Sequence, residues 1–339
     1  MYLYVIIYIE NTHMYSKTLS LPFLGSDRRA RSTTIGWIML FGAIIAGSTS
    51  TTFAKELSTA FSPLSLLILS ELIVLTFTVL SFGFFPLLHE VFSIKKKYLP
   101  ALLLVGITNS IVAPMLVFTG LHMTQAVNAE LFLRSYSFFL FIYAAIFLKE
   151  KITRTDIFAL LCMTIGIGIV ALRGFQGSLT MAPGDLLILS GAIVYAIGGI
   201  VFKIKLHKLH PEVVLCARGM LAITFFFLFS PFTETVIVHE IQSFPLALVG
   251  SLLGYGFIAR FLYMFGFYES IERLEVHTVS LLLPLITVGS LVFAHLRLGE
   301  SIYWYHIFGA GFLIMGSLVM RYSSPKAHLE RELRHRHHV

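Results

Sequence analysis

Glu130 and Arg134 stand four residues apart inside NAELFLRSYSFFLFIYAAIFLKE, Asn128 to Glu150, a stretch whose interior is otherwise apolar. On a helix this spacing puts carboxylate and guanidinium on one face, with the acid N-terminal to the base, the favourable order. A run of about twenty apolar residues is the length of a membrane span. A charge pair at that depth either neutralises itself so that the span inserts, or borders water and handles a charged solute. In the second reading Arg134 holds a carboxylate or phosphate through its planar fork. Glu130 orients it and takes a proton when the site is empty.

Three more charges lie within apolar runs: Glu71, Arg218 and Arg260. Each charge at mid-span costs about 2.5–3.5 kcal/mol on insertion scales. Five of them, central and unpaired, would cost roughly 12–18 kcal/mol, against ~5–15 kcal/mol for the whole stability of a typical fold. They must be paired, hydrated or both, and a water-filled cavity hydrates them. Glu71 and Arg218 then suit a gate, a proton carrier or a partner to another charge. Arg260 makes a polar stripe with Tyr255 and Tyr263, the last three residues away on the same face. Asn109 and Pro114 interrupt another run, and Asn109 offers hydrogen bonds to a solute or a neighbouring helix. The expected substrate-binding set is therefore Arg134, Glu130, Asn109, Arg260, Tyr263 and Arg218, with Glu130 and Glu71 as proton carriers. His277 is an alternative proton site. Glu150 and Glu300 sit at turns and suit helix capping. Lys55 and Lys203 at span ends suit snorkelling anchors.

The composition agrees with a bilayer as solvent. Of 339 residues 57% are hydrophobic and 13% charged, with a mean hydropathy of +0.84. A soluble domain of this length needs far more polar surface. The net charge of +7 does not mark a nucleic-acid binder, because the basic residues sit in short loops and tails. The positive-inside bias and anionic lipid account for them. Cys162 and Cys216 both lie in apolar runs and read as buried core residues. No CxxC, HExxH, GxSxG or glycine-rich phosphate loop is present, and nothing implies a cofactor or a metal centre.

Ten runs are long enough to cross: 35–54, 64–85, 98–119, 124–147, 156–173, 183–204, 212–233, 245–267, 274–296 and 302–321. With the N-terminus in the cytoplasm, that side holds the clusters at Arg28–Arg31, Lys95–Lys97, Lys149–Arg154 and Lys203–Lys208, Arg273 and the basic C-terminal tail. The far side holds only Lys55, Arg173 and Arg297, so both termini are expected in the cytoplasm. Residues 1–33 read as a tail, as does the histidine-rich segment 322–339. The chain also repeats. Glu130–Val170 slides onto Ser280–Met320 without a gap, with nine identities, among them Leu148/Leu298, Glu150/Glu300, Ile152/Ile302 and Gly166/Gly316. The earlier segments agree at an offset of 148, through Gly36/Gly184, Lys55/Lys203 and Pro63/Pro211. An odd five spans per repeat, 34–173 and 183–321, turns the second upside down. Inverted repeats are the architecture of many secondary transporters. Within them Arg134 aligns with Pro284 and Glu130 with Ser280, so the second repeat supplies a proline break near Leu281 instead of a second charge pair. Gly250 and Gly254, and Ala192 and Ala196, are spaced for close helix contact; Gly198–Gly199 suits a hinge or a packing point.

Two such repeats, each closing with the FLKEKIT or LRLGESI turn before a glycine-bearing span (TIGIGIVAL, IMGSLVM), resemble the EamA-type branch of the drug/metabolite transporter superfamily. The openings fit as well: GWIMLFGAIIAGSTSTTFAK, and SPLSLLILSE matched by HPEVVLCARG. That family commonly has an arginine seven residues after the proline; Arg218 obeys this, whereas Ser70 and Glu71 depart from it. The resemblance implies a multi-pass protein of the cell membrane that exports amino acids, other metabolites or drugs, often with proton coupling. An all-α membrane protein of ten helices in two inverted five-helix repeats, acting as a secondary active transporter by alternating access, is thus the expectation. A passive small-solute channel and an intramembrane enzyme are the alternatives, and the second lacks a nucleophile or metal constellation.

Overall fold

The computed structural model describes residues 33–147, 153–173, 181–206, 208–209, 211–229, 237–274, 279 and 282–323. The expected tails up to residue 32 and from residue 324, the turn residues Lys149, Glu150 and Lys151, and His277, Ser280 and Leu281 lie outside the described residues. Among the described residues the chain is built of helices and carries no strand.

The order is α1 (Thr33–Ser48), α2 (Ser50–Leu57), α3 (Pro63–Phe82), α4 (Phe84–Phe92), α5 (Leu99–Gly106), α6 (Ala113–Met123), α7 (Ala126–Arg134), α8 (Tyr136–Phe147) and α9 (Arg154–Ala171). Then come α10 (Pro183–Val201), α11 (Pro211–Phe229), α12 (Ile237–Gln242), α13 (Val249–Leu253), α14 (Tyr263–Arg273), α15 (Leu285–Leu298) and α16 (Trp304–Ser323). Three π-helical segments, Ile107–Val112, Phe202–Leu206 and Gly254–Leu262, continue α5 into α6, extend α10, and join α13 to α14. Local sequence sets the starts. Pro63 opens α3 behind Ser62, whose hydroxyl accepts from Ser65 N–H at 3.4 Å. Thr153 and Asp156 form a capping box for α9, with Thr153 N–H donating to Asp156 Oδ2 at 2.8 Å. Gly299, at φ 67°, ends α15 in the left-handed region that glycine enters without steric cost.

Eight stretches are helical, long and apolar enough to cross a membrane: 34–57, 63–80, 96–123, 126–147, 154–171, 183–206, 212–229 and 246–267. Two shorter apolar helices, Leu285–Leu298 and Trp304–Val319, occupy the ninth and tenth expected places. Within the ninth run α15 starts directly after Pro284, which cannot donate to the preceding turn, while Val279 and Leu282 before it are also helical. Its counterpart run also breaks, at Ser135 between α7 and α8. Large apolar side chains such as Ile45, Leu80, Phe85, Phe227 and Leu296 face outward all round the bundle. Lipid, and not water, is the solvent such a surface fits.

The two halves of the chain interlock. α1 packs on α14 and α15, while α10 packs on α6 and α8; α3 lies along α11, α7 along α15, and α9 along α16. Element bounds recur as well. A 3₁₀ turn, a short α-helix, a π segment and a second α-helix begin at Lys96, Leu99, Ile107 and Ala113. The same sequence of elements begins at Leu246, Val249, Gly254 and Tyr263. The closest backbone approaches use glycine, the device expected where helices associate without a hydrophobic driving force. A Cβ at Gly166 in α9 would stand 2.9 Å from the Gly309 carbonyl oxygen of α16, and one at Gly120 in α6 would stand 2.8 Å from that of Gly184 in α10. Of the expected pair, Gly254 lies against the Phe53 ring and Gly250 meets nothing within 4 Å. Gly198 and Gly199 are packing points, against Asn109 and the Tyr136 hydroxyl. Gly166→Leu should cost about 1–3 kcal/mol by overpacking the α9–α16 crossing, read as a lower apparent melting temperature in detergent. Gly168→Ala, with nothing within 4 Å of its Cβ position, should leave that temperature unchanged or slightly raised.

Candidate functional site

A cavity of about 300 Å³ lies between the halves of the bundle. Ligand pockets span about 300–1,000 Å³, so this one suits a small solute. All seven residues singled out by spacing line it: Glu71 on α3, Asn109 on the first π segment, Glu130 and Arg134 on α7, Arg218 on α11, Arg260 on the third π segment, and Tyr263 on α14. The lining also includes Thr51, Tyr136, Tyr195 and Tyr255. Its ionisable groups are three arginines and two glutamates, a surplus of one positive charge when all are ionised.

On one side of the cavity the Arg134 guanidinium pairs with Glu130 Oε1, and the Thr51 hydroxyl donates to Glu130 Oε2. Both carboxylate oxygens of Glu130 are therefore engaged. The Arg134 side chain is the more open partner, 21% exposed against 4% for Glu130. Arg134 is also the last residue of α7, where the helix dipole favours a cation.

On the other side stand Glu71, Arg218, Arg260, Tyr195 and Tyr255. Arg260 Nη2 donates to the Tyr255 hydroxyl at 2.5 Å, and the guanidinium lies 5.0 Å over the Tyr255 ring, a cation–π distance. The partners are five residues apart, a spacing that α geometry does not bring together and that the i→i+5 bonding of a π segment does. Glu71 is buried, with Arg218 and Arg260 within electrostatic reach and Ser110 beside it. Tyr195 stands among the same charges. Asn109 turns its Oδ1 toward Gly198. Sequence reasoning missed Thr51, Ser110 and Tyr195 as site members. Thr51 reaches a partner 79 residues away, and no local pattern marks such a pairing.

A second polar cluster closes one end of the bundle, where α2, α6 and α15 finish and α7, α10 and α16 begin. Glu300 accepts the Ala126 and Val127 N–H groups at 2.7 and 2.9 Å, capping α7 from the other half of the chain. Glu56 accepts from Arg297 at 2.8 Å and from Ser251. Thr124 donates to Asp185. Tyr303 N–H donates to His306 Nδ1 at 3.1 Å, which leaves Nε2 to donate to Asn128 Oδ1 at 2.9 Å. Lys55, expected as a snorkelling anchor, donates to the Leu121 carbonyl. The C-terminal turn of α6 ends beside it, and a cation there satisfies an orphan carbonyl.

A helical bundle with spans long and apolar enough to cross a membrane, around a small charged cavity, defines a multi-pass membrane protein. The comparisons with known proteins make the class specific. The chain belongs to the EamA-like transporter family, whose model matches twice, over residues 34–172 and 182–322. Its relatives include an uncharacterized transporter of Haemophilus influenzae, 24% identical over 220 residues, which are 59% of this chain and 67% of that one. An uncharacterized transporter of Archaeoglobus fulgidus is 24% identical over 229 residues, 67% of this chain and 79% of that one. The uncharacterized transporter YyaM of Bacillus subtilis is 23% identical over 206 residues, 60% of this chain and 67% of that one. A solved structure at 18% identity superposes with a TM-score of 0.52, over 86% of this chain and 100% of its own, and shares the fold.

Glu130→Gln should leave the Arg134 charge without its carboxylate and destabilise the protein by about 3 kcal/mol, the lower end for a broken buried pair, because Arg134 is partly open. The double variant Glu130→Gln/Arg134→Gln should melt higher than the single one. Equal melting of the two would show that the pair does not act as a unit.

Proposed function

We propose that the protein is a secondary active transporter that exports small metabolites such as amino acids, working by alternating access of two inverted five-helix repeats. The observation that carries this reading is the convergence of Glu71, Glu130, Arg134, Arg218 and Arg260 on one small cavity between the two halves. The repeats are residues 34–173 and 183–321. Their support is the double family match, the recurring element bounds and the exchanged packing of α1 with α14 and of α10 with α6. Ten spans and an odd five per repeat give opposite orientations in the membrane. The lysine and arginine bias puts both termini in the cytoplasm of a cell membrane, with the basic loops near anionic lipid. The far side then carries the polar seal. Its three basic residues have local partners there: Lys55 on Leu121, Arg297 on Glu56, and Arg173 near Asp185.

In this mechanism Arg134 binds the anionic group of the solute, and Glu130 holds the guanidinium in place and takes a proton when the site is empty. Asn109, Arg218, Arg260 and Tyr263 complete the binding surface. Glu71 is the second candidate for proton coupling. The seal of Glu300 on α7, Glu56 on Arg297 and Asn128 on His306 closes one access route, and its release opens the cavity to that side.

Counterflow in proteoliposomes with a panel of amino acids, organic acids and organic cations tests the reading. Saturable exchange of an anionic or zwitterionic solute is expected, falling to background in Arg134→Gln while that variant stays folded. Exchange that survives the substitution keeps the carrier and reduces the pair to a structural element. Flux that rises linearly with concentration, with no counterflow, would make the protein a channel.

A further inference from the structure

The last helix starts with a cap that has a mate in the other half of the chain. Tyr303 stands just before α16, and His306 in its first turn reaches back to accept the Tyr303 N–H at Nδ1, 3.1 Å away. Thr153 stands just before α9, and Asp156 accepts the Thr153 N–H in the same way at 2.8 Å. Thr153 and Asp156 align with Tyr303 and His306 at the repeat offset of 150. One half thus fills the reciprocal place of a capping box with a carboxylate, the other with an imidazole. The difference is chemical. A carboxylate keeps its lone pairs through the physiological range, whereas an imidazole that gains a proton has two N–H groups and no acceptor. α9 and α16 run antiparallel, with Val170 beside Gly309 and Met163 beside Gly316, so the two caps stand at opposite ends of the bundle.

Both nitrogens of the His306 ring are committed. With Nδ1 accepting, the one ring proton is on Nε2, which donates it to Asn128 Oδ1 at 2.9 Å. Asn128 is in the first turn of α7, and Asp185 on α10 takes hydrogen bonds from it and from Thr124. His306 and Asp185 are 0% and 1% exposed. The donors therefore run one way, from α16 through α7 to α10, and that direction holds only for a neutral ring. A second proton on His306 has one place to go, Nδ1, where it meets the Tyr303 N–H head-on. It also sets a cation in the first turn of a helix, against the dipole.

We propose that His306 is a proton-binding site of the polar seal: protonation at Nδ1 releases α16 from α7 and frees the end of the bundle where Glu300 caps α7. The proposal rests on the transporter reading above and names what operates the seal within it. The closed arrangement accepts only the neutral ring, so protons bind the released ring preferentially, and acid on that side favours release. The charged and titratable neighbours are few. Beyond the end of α9 stands Arg173, near Asp185 of α10 and Tyr305. α7 presents Glu130, held by Arg134 and Thr51. The turn before α16 presents Glu300, held by the Ala126 and Val127 N–H groups with Lys55 nearby. α16 itself adds Tyr303 and Tyr305. Among the described residues none of these side chains bonds the His306 ring. The mate, Asp156, caps α9 without such a switch, so the response belongs to one end of the molecule.

The test reads the seal and transport separately. Ala54→Cys, at a cavity position on α2, is made together with Cys162→Ala and Cys216→Ala. An impermeant methanethiosulfonate is added to sealed vesicles from the side that reaches Leu246→Cys, an exposed position at the end where the seal lies. The Ala54→Cys rate is divided by the Leu246→Cys rate at each pH, which removes the titration of the thiol itself. With His306 in place, labelling should be about fivefold or more faster at about pH 5.5 than at about pH 7.5, across the range in which histidine gains its proton. His306→Gln keeps an acceptor and a donor on one amide and does not titrate, so its rate should change less than roughly twofold. Asn128→Ala removes the partner and should label at the higher pH as fast as the parent does at the lower one. No acid effect in the parent overturns the site. So does an acid effect of the same size in His306→Gln, which gives the proton to one of the carboxylates. If His306→Gln does not fold, Asn128→Ala decides, and slow labelling there that still rises with acid counts against His306. Counterflow is measured on the same proteins. Exchange together with labelling that ignores pH keeps the carrier and removes the proton site. Acid-dependent labelling that is lost in His306→Gln, in a protein that exchanges no solute, keeps the proton site and overturns transport.

Discussion

A charge cannot be left in hydrocarbon, and the architecture of this protein follows from where it takes five of them. Glu71, Glu130, Arg134, Arg218 and Arg260 come from four different helical segments, with Glu130 and Arg134 sharing α7, yet every one borders the same cavity. Each segment is otherwise apolar enough to meet lipid on its outer face. The requirement that its charged side chains meet other polar groups constrains its rotation about its own axis. Helix orientation, and hence the packing of α3 on α11 and of α7 on α15, thus depends on the burial of charge at least as much as on apolar matching, since lipid itself gives no preference among apolar faces.

The same constraint explains why the irregular backbone is concentrated around the cavity. Non-helical or weakly helical backbone is tolerated at membrane depth only where it is buried in protein or borders water. The break at Ser135 follows Arg134, and the π segments at Ile107–Val112 and Gly254–Leu262 carry Asn109 and Arg260. Ser48, one residue before the break at Thr49, lies 3.2 Å from the Ile286 carbonyl of α15, next to the start that Pro284 imposes. In each case the departure from α geometry turns a polar group toward the centre, and a polar side chain or the cavity meets the backbone it disturbs.

Much of this was legible in the sequence, because a charge in an apolar run is conspicuous and its cost is known. The seven spaced residues are cavity residues for that reason. The bounds of eight spans followed from hydropathy, and the break at Pro284 from the chemistry of proline. What was not legible has two physical sources. A π segment shifts the hydrogen-bond register by one residue, and no residue type marks it, so the stripe of Tyr255, Arg260 and Tyr263 was legible but the hydrogen bond from Arg260 to Tyr255, five residues away, was not. Partners distant in sequence also leave no local trace: Thr51 on Glu130, Lys55 on Leu121, and Glu300 on the first turn of α7. Lys55, expected as a span-end anchor, has such a distant partner in the Leu121 carbonyl at the end of α6. The capping expected of Glu300 is present, but the helix it caps belongs to the other half.

The two halves share a scaffold and divide the chemistry. Both cavity carboxylates, Glu71 and Glu130, lie in the first half, and two of the three arginines, Arg218 and Arg260, lie in the second. Their counterparts across the repeat offsets are Gly219, Ser280, Ser70 and Ser110, none of them charged. Halves carrying identical charges would bring like charges to the same cavity, at a cost that grows as water is excluded. Dividing acid from base replaces that repulsion with attraction across the interface between the halves. It also gives the cavity a direction. In the transporter reading proposed above, a bound solute engages the same groups that attract one half to the other, and so alters the contact between the halves; that is the coupling a carrier needs between its site and its gates.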